Sequence, residues 1–191
     1  MRKYENILLD ADTLGAGLED LSAADAAIEF HRFYLSLCAR HRFGEVFVCR
    51  GPGQSRRASD VVIAARNLGV SVAVASTAFA ALSAMALNCA HDGQGALLVS
   101  SHVGAPGFLR DTPSALHLMP DPFGAAKVLT LALWYGANQS VPPAMQAREA
   151  RQVSIERNEP DLMAHRWWLA ERGALAVFQP GIWRGIERWA R

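Results

Sequence analysis

Lysine is almost missing from this chain: Lys3 and Lys127 are the only two among 191 residues. Arginine carries nearly all the positive charge, and 19 basic against 18 acidic residues leave a formal net charge of +1. That balance offers no basic surplus for a phosphate backbone, so nucleic acid is not an expected partner. Cysteine is also scarce. Cys38, Cys49 and Cys89 are odd in number, widely spaced and without a C-x-x-C pair. Neither a disulfide framework nor a metal site follows from them, and buried free thiols in a reducing compartment are expected. Long apolar runs are missing as well. Half the residues are hydrophobic, yet no uninterrupted run reaches the ~18–20 residues that span a bilayer. No apolar signal region of sufficient length precedes Asp10, so the expected location is cytoplasmic, with no membrane partner. Repeats, low-complexity tracts and an interdomain linker are absent too, which leaves one domain over 1–191, large enough to bury a substantial core.

What is present alternates between two periodicities. Asn6 to Asp10 and Glu45 to Cys49 are short apolar runs suited to strands, and the second stops at Gly51-Pro52-Gly53. Between them, Asp20 to Arg40 predicts a helix capped by Ser22, with Ala26, Ala27, Phe30, Phe33, Tyr34 and Leu37 on one face. Ala58 to Leu68 predicts a second helix ending before Gly69. Val70 to Ala75, Ala96 to Ser100 and the weaker Ala115 to Met119 predict strands, with a small-residue helix over Ala78 to Ala90. Further helices are expected from Asp121 to about Trp134, from Pro142 to about Val153 and over 162–172, with a last strand over Ala174 to Phe178. Alternation at this spacing predicts an α/β fold with right-handed crossovers. Periodicity leaves open whether the strands form a doubly wound sheet or stacked ββα turns.

Three segments could carry chemistry. Asp10-Ala11-Asp12-Thr13-Leu14 resembles the haloacid-dehalogenase nucleophile loop but is one residue short between Asp12 and Thr13. Asp10 at a strand end is also similar to a metal-binding nuclease position. Such cations need several converging carboxylates, and the later strand ends supply Ser100-Ser101-His102 and only Asp121. A polar strand-end turn is the expectation here.

The second segment is Arg50-Gly51-Pro52-Gly53-Gln54-Ser55, and the third runs from Gly69 to His102 as strand, small-residue helix, strand and histidine. In that order they resemble the core of the Clp-protease/crotonase superfamily. The loop matches the Ser-Pro-Gly-Gly-Ser turn of Clp peptidases at Pro52, Gly53 and Ser55, and is also similar to the crotonase Arg-Gly-x-Gly stretch. Gly104 and Gly107-Phe108 resemble the glycine-rich continuation after the family histidine. Leu131 to Ser140 resembles the Clp handle helix, and Trp168 to Ala176 the closing segment, with Ala176 in place of an aspartate.

The resemblance implies a single ββα-spiral domain with a helical handle and aromatic tail over roughly 121–191. It also implies a homo-oligomer, ring-forming or layered in that family's manner, with a peptide substrate or an unfoldase as further partners and no cofactor. An ungapped alignment puts Phe79 or Ala80 at the nucleophile position. Sliding the helix puts Ser83 there, within Leu82-Ser83-Ala84 and followed by Asp92. The implied set is then Ser83 as nucleophile, His102 as general base, and Glu149 or Glu156 orienting the imidazole. Gly51, Gly53 and Gln54 would supply the oxyanion donors, since glycines let a turn point its N–H groups outward. Three readings follow: a Clp-type serine peptidase with a rearranged set, a non-catalytic assembly or peptide-binding subunit, and a crotonase-like acyl-CoA protein. Four of the five tryptophans follow residue 166, which favours a self-association surface there over a ligand stack.

Overall fold

A computed structural model describes residues 2–102, 104–105, 116–124, 129–130 and 153–174. The chain runs β1 (Arg2–Asp10), α1 (Ala11–Leu18), α2 (Ala23–Arg40), β2 (His41–Arg50), α3 (Arg56–Asn67), β3 (Ser71–Val74) and α4 (Ala78–His91). It continues through β4 (Ala96–Val99), β5 (Leu116–Met119), β6 (Leu129–Thr130), β7 (Ser154–Glu156) and α5 (Leu162–Glu171). All seven strands belong to one sheet in the order β6-β5-β4-β1-β2-β3-β7. The five central strands are parallel, and β6 and β7 pair antiparallel at the edges.

Strand composition explains why the sheet is covered on both sides. Ile7, Leu9, Val46, Val48, Val72, Leu97, Val99 and Met119 join one core cluster with residues of α1, α2, α3 and α5. Their neighbours Leu8, Phe47, Cys49, Ala73, Leu98, Leu116 and Leu118 join a second cluster with α4. Successive residues of a strand point to opposite faces, so continuous apolar runs are what a sheet buried on both faces requires.

The two helical layers also fix the topology. From β1 the chain steps to β2 and then to β3, with α1, α2 and α3 on one face. From β3 it returns through α4 to β4, on the far side of β1. A right-handed crossover that reverses its direction along the sheet must put its helix on the opposite face. This is the open, doubly wound arrangement, with its switch point between β1 and β4.

Several sequence expectations need adjusting. The α/β class and the helices over 23–40, 56–67, 78–91 and 162–171 agree with the periodicity. Residues 11–18 form a helix where only a polar turn was expected, because Asp10 caps it. Leu129 and Thr130 pair with Leu118 and His117 in a two-residue strand, inside the span expected to be helical from Asp121. Two residues of edge pairing are too short to leave a period. The expected helix over 142–153 except Val153, the 131–140 segment, the expected strand over 174–178 except Ala174, and the tail tryptophans Trp183 and Trp189 lie outside the described residues. Among the described residues, no helix is long and apolar enough to cross a membrane.

Candidate functional site

The carboxyl ends of the parallel strands make one edge of the sheet, and helix caps line it. Asp10 caps α1, Ser55 caps α3 and Thr77 caps α4, each accepting from backbone N–H groups of the following turn. Such caps satisfy helix donors that have no intrahelical partner. Gly51 lets two of these turns approach. A Cβ there would lie 2.6 Å from the Thr77 Cα, so only glycine fits between the β2 end and the start of α4. Gly53 has φ +77 with open space around it, a turn residue in the left-handed region.

Polar side chains from two strands meet at the switch point. Asp10 is 2% exposed, and its carboxylate accepts four hydrogen bonds. Oδ1 takes the N–H of Asp12 at 3.0 Å and that of Thr13 at 3.4 Å. Oδ2 takes the Thr13 hydroxyl at 3.0 Å and the Ser100 hydroxyl at 2.7 Å. Thr13 Oγ1 in turn accepts the Ser101 N–H at 2.9 Å and lies 3.2 Å from Ser101 Oγ. The Ser100 hydroxyl oxygen accepts the N–H of His102 at 3.1 Å. One carboxylate thus ties the end of β1, the first turn of α1 and the end of β4 together. Asp12 is exposed beside it, with its carboxyl raised above the usual range by partial burial and then by the Asp10 charge.

His102 closes one side of this notch. Its ring stacks on Phe79 of α4, with centroids 3.8 Å apart and planes 15° from parallel. Its Nδ1 accepts the Gly104 N–H at 3.0 Å, which places the ring proton of the neutral form on Nε2. A base for a serine nucleophile needs the other tautomer, with Nε2 accepting and Nδ1–H held by an acid.

Ser83 lies within α4, 1% exposed, and its buried Oγ has no hydrogen-bond partner. His102 is exposed at the sheet edge, so no hydrogen bond joins the two. Glu156 lies in β7 and pairs with Arg66 of α3. Glu149 lies outside the described residues. Gly51, Gly53 and Gln54 do share one turn at the edge, where the side-chain Nε2 of Gln54 is buried without a partner. Asp121 is at the end of β5, with its Oδ1 accepting the Gly124 N–H at 2.8 Å. Among the described residues, no three His, Cys, Asp or Glu side chains are placed to hold a metal ion.

Thr13, Ser100 and Ser101 were not singled out from the sequence as partners of Asp10. A local signal existed for Thr13, since an Asp that caps a helix commonly faces the residue three positions on. No local signal could reach the serines, which lie 88 to 90 residues from their partners. Comparison adds nothing that assigns the fold to a family: no protein-family model and no curated protein matches the chain.

Proposed function

We propose that this chain is a non-catalytic α/β binding domain that takes its ligand at the carboxyl edge of the sheet, in the notch between β1 and β4. The closed network around Asp10 carries this reading. All four acceptor positions of the carboxylate are used by donors of the protein itself, which makes it a structural anchor and leaves it no capacity for a metal ion or a substrate proton. What remains outward-facing is the Asp12 carboxylate, the Ser101 hydroxyl and the His102 Nε2–H, backed by the Phe79 ring. Those groups can orient a polar ligand by hydrogen bonds and stacking. Among the described residues, no pairing of a nucleophile with a base accompanies them. In open parallel sheets the crevice at a switch point is the usual ligand position.

Of the three readings opened by the Clp/crotonase resemblance, the non-catalytic one agrees best with this geometry. A peptidase needs Ser83 at a substrate, and the burial of its hydroxyl gives that reading no support. The one-sheet strand order likewise lends nothing to a ββα spiral. The acyl-CoA reading keeps one observation, the unpartnered Gln54 amide beside the Gly53 turn, which could hold a thioester oxygen.

A fluorophosphonate probe and a thermal-shift screen with peptides, nucleotides and acyl-CoA test these readings together. The expected result is no covalent labelling, and stabilisation by a ligand that is weakened by His102→Ala or Asp12→Ala. Labelling that disappears in Ser83→Ala would overturn the binding-domain reading. Acyl-CoA binding lost in Gln54→Ala and retained in His102→Ala would move the site to the β2–α3 turn.

A further inference from the structure

Charge is unevenly spread along this chain. From Val46 to His91 the sequence holds four arginines, Arg50, Arg56, Arg57 and Arg66, against one carboxylate, Asp60. That stretch covers the end of β2, the β2–α3 turn, α3, β3 and α4. Asp60 is shared by Arg57 and by Arg172 of α5. Arg66 is matched by Glu156 of β7. Arg50 and Arg56 are left over: among the described residues, neither pairs with a carboxylate. Arg50 ends β2 and Arg56 begins α3, so the two unmatched cations bracket one turn.

Both belong to the same face of the sheet. In β2, Val48 joins the layer of α1, α2 and α3, while Cys49 joins that of α4. Alternation returns Arg50 to the α3 side, where Arg56 opens the helix. Helix starts carry partial positive charge and favour acidic residues, yet the first turn of α3 holds none. Arg56 and Arg57 add to that charge instead. Two donors of the turn, Arg50 Nε and Gln54 Nε2, are buried without a hydrogen-bond partner, an arrangement that an incoming acceptor relieves. Arg66 also leaves its Nε unmet, but there Glu156 balances the charge. Arg50 and Gln54 are each half-buried, so the enclosed atoms lie beneath a surface that a ligand can reach. Gly53 keeps that surface open, since a Cβ there would meet nothing within 4 Å.

We propose that the β2–α3 turn binds a phosphate group, held by the guanidinium groups of Arg50 and Arg56 with the Gln54 amide beside them. A dianion answers both cations, and the planar fork of arginine matches two phosphate oxygens. A carboxylate would balance only one of the two. Two cations suit a single phosphate and not a nucleic-acid backbone, which needs many such contacts. The site stands apart from the β1–β4 notch: it uses none of Asp12, Ser101 or His102, and either site can fail with the other intact.

Amide and guanidinium NMR of the whole chain tests the site, with sodium phosphate titrated against sodium chloride of equal ionic strength at neutral pH. Expected are saturable shifts of the Gly53, Gln54 and Arg56 amides and of the Arg50 Nε–H, with no matching change at Ser101 and His102. Arg50→Gln and Arg56→Gln are each expected to weaken phosphate about tenfold, the loss of one charge-assisted contact. Glycerol phosphate is expected to move the same signals, and its affinity relative to inorganic phosphate tells an esterified ligand from the free ion. Acetate is expected to leave them nearly unmoved. Equal shifts by chloride or acetate would overturn the proposal, as would phosphate shifts centred on Ser101 and His102. So would an affinity for phosphate unchanged in both variants. Should a variant fail to fold, the wild-type shift map decides by itself.

Discussion

Replacing Asp10 by Ala separates an anchor from a metal ligand. The substitution removes the α1 cap, for which a loss of about 1 kcal/mol is usual. It also leaves the hydroxyl of Ser100, itself 0% exposed, without its acceptor 2.7 Å away. A buried donor stripped of its partner costs about 1–3 kcal/mol. The Thr13 hydroxyl loses one of its three contacts but retains the two to Ser101. The expected sum is roughly 2–4 kcal/mol, on the order of 10 °C in Tm for a chain of this size. Asp10→Asn should cost much less, because an amide oxygen still caps the helix and the hydroxyls can turn to accept from the amide nitrogen. Urea unfolding followed by circular dichroism, with and without magnesium or manganese, measures both variants. An Asp10→Ala protein as stable as wild type would refute the anchoring role. So would a metal that stabilises wild type and not the variant, since that carboxylate would then be a ligand.

Two further substitutions test the packing around the edge and the fate of Ser83. Ser83→Ala deletes a buried hydroxyl that has no partner, and the urea midpoint should stay level or rise, by up to about 1 kcal/mol. A clear loss would reveal a bond the hydroxyl makes. Gly15→Ala would place a Cβ 2.6 Å from the Ala58 backbone nitrogen, where α1 crosses the start of α3. Ala is the better helix former by about 1 kcal/mol, yet the clash should dominate and lower stability by about 1–3 kcal/mol. A higher Tm for that variant would show that α1 and α3 are not so closely apposed.

Much of the fold was legible because its signals are local. The apolar runs at Ile7–Leu9 and Val46–Cys49 have no alternation, and that follows from a sheet covered on both faces. The helix over 23–40 announced itself through Ser22 and a stripe from Ala26 to Leu37, and those residues are the ones buried against the sheet. The candidate site was legible only in pieces. Asp10, His102 and the Gly51–Gln54 turn were each marked by position at a strand end. Ser83 illustrates the opposite case: its place in a helix was readable, but a helix so rich in small apolar residues does not declare which side faces the sheet. The structure buries the serine and stacks Phe79, one turn earlier in the helix, on His102 at the edge.

The sequence by itself determined the class and the layers: strand and helix periods, their order, and a chain with apolar surface enough for two covered faces. These depend on neighbours within a few residues, so a linear reading reaches them. Only the tertiary structure decided that β4 returns to lie beside β1, because strand order is set by crossover handedness and by which helical face covers which strands. That return brings Ser100 to Asp10 across 90 residues and turns a carboxylate at a strand end into a saturated anchor. It also brings His165 onto His31 across 134 residues. Both polar contacts are products of folding over long separations, and the sequence-local lack of lysine, disulfide cysteine or apolar span carries no trace of either.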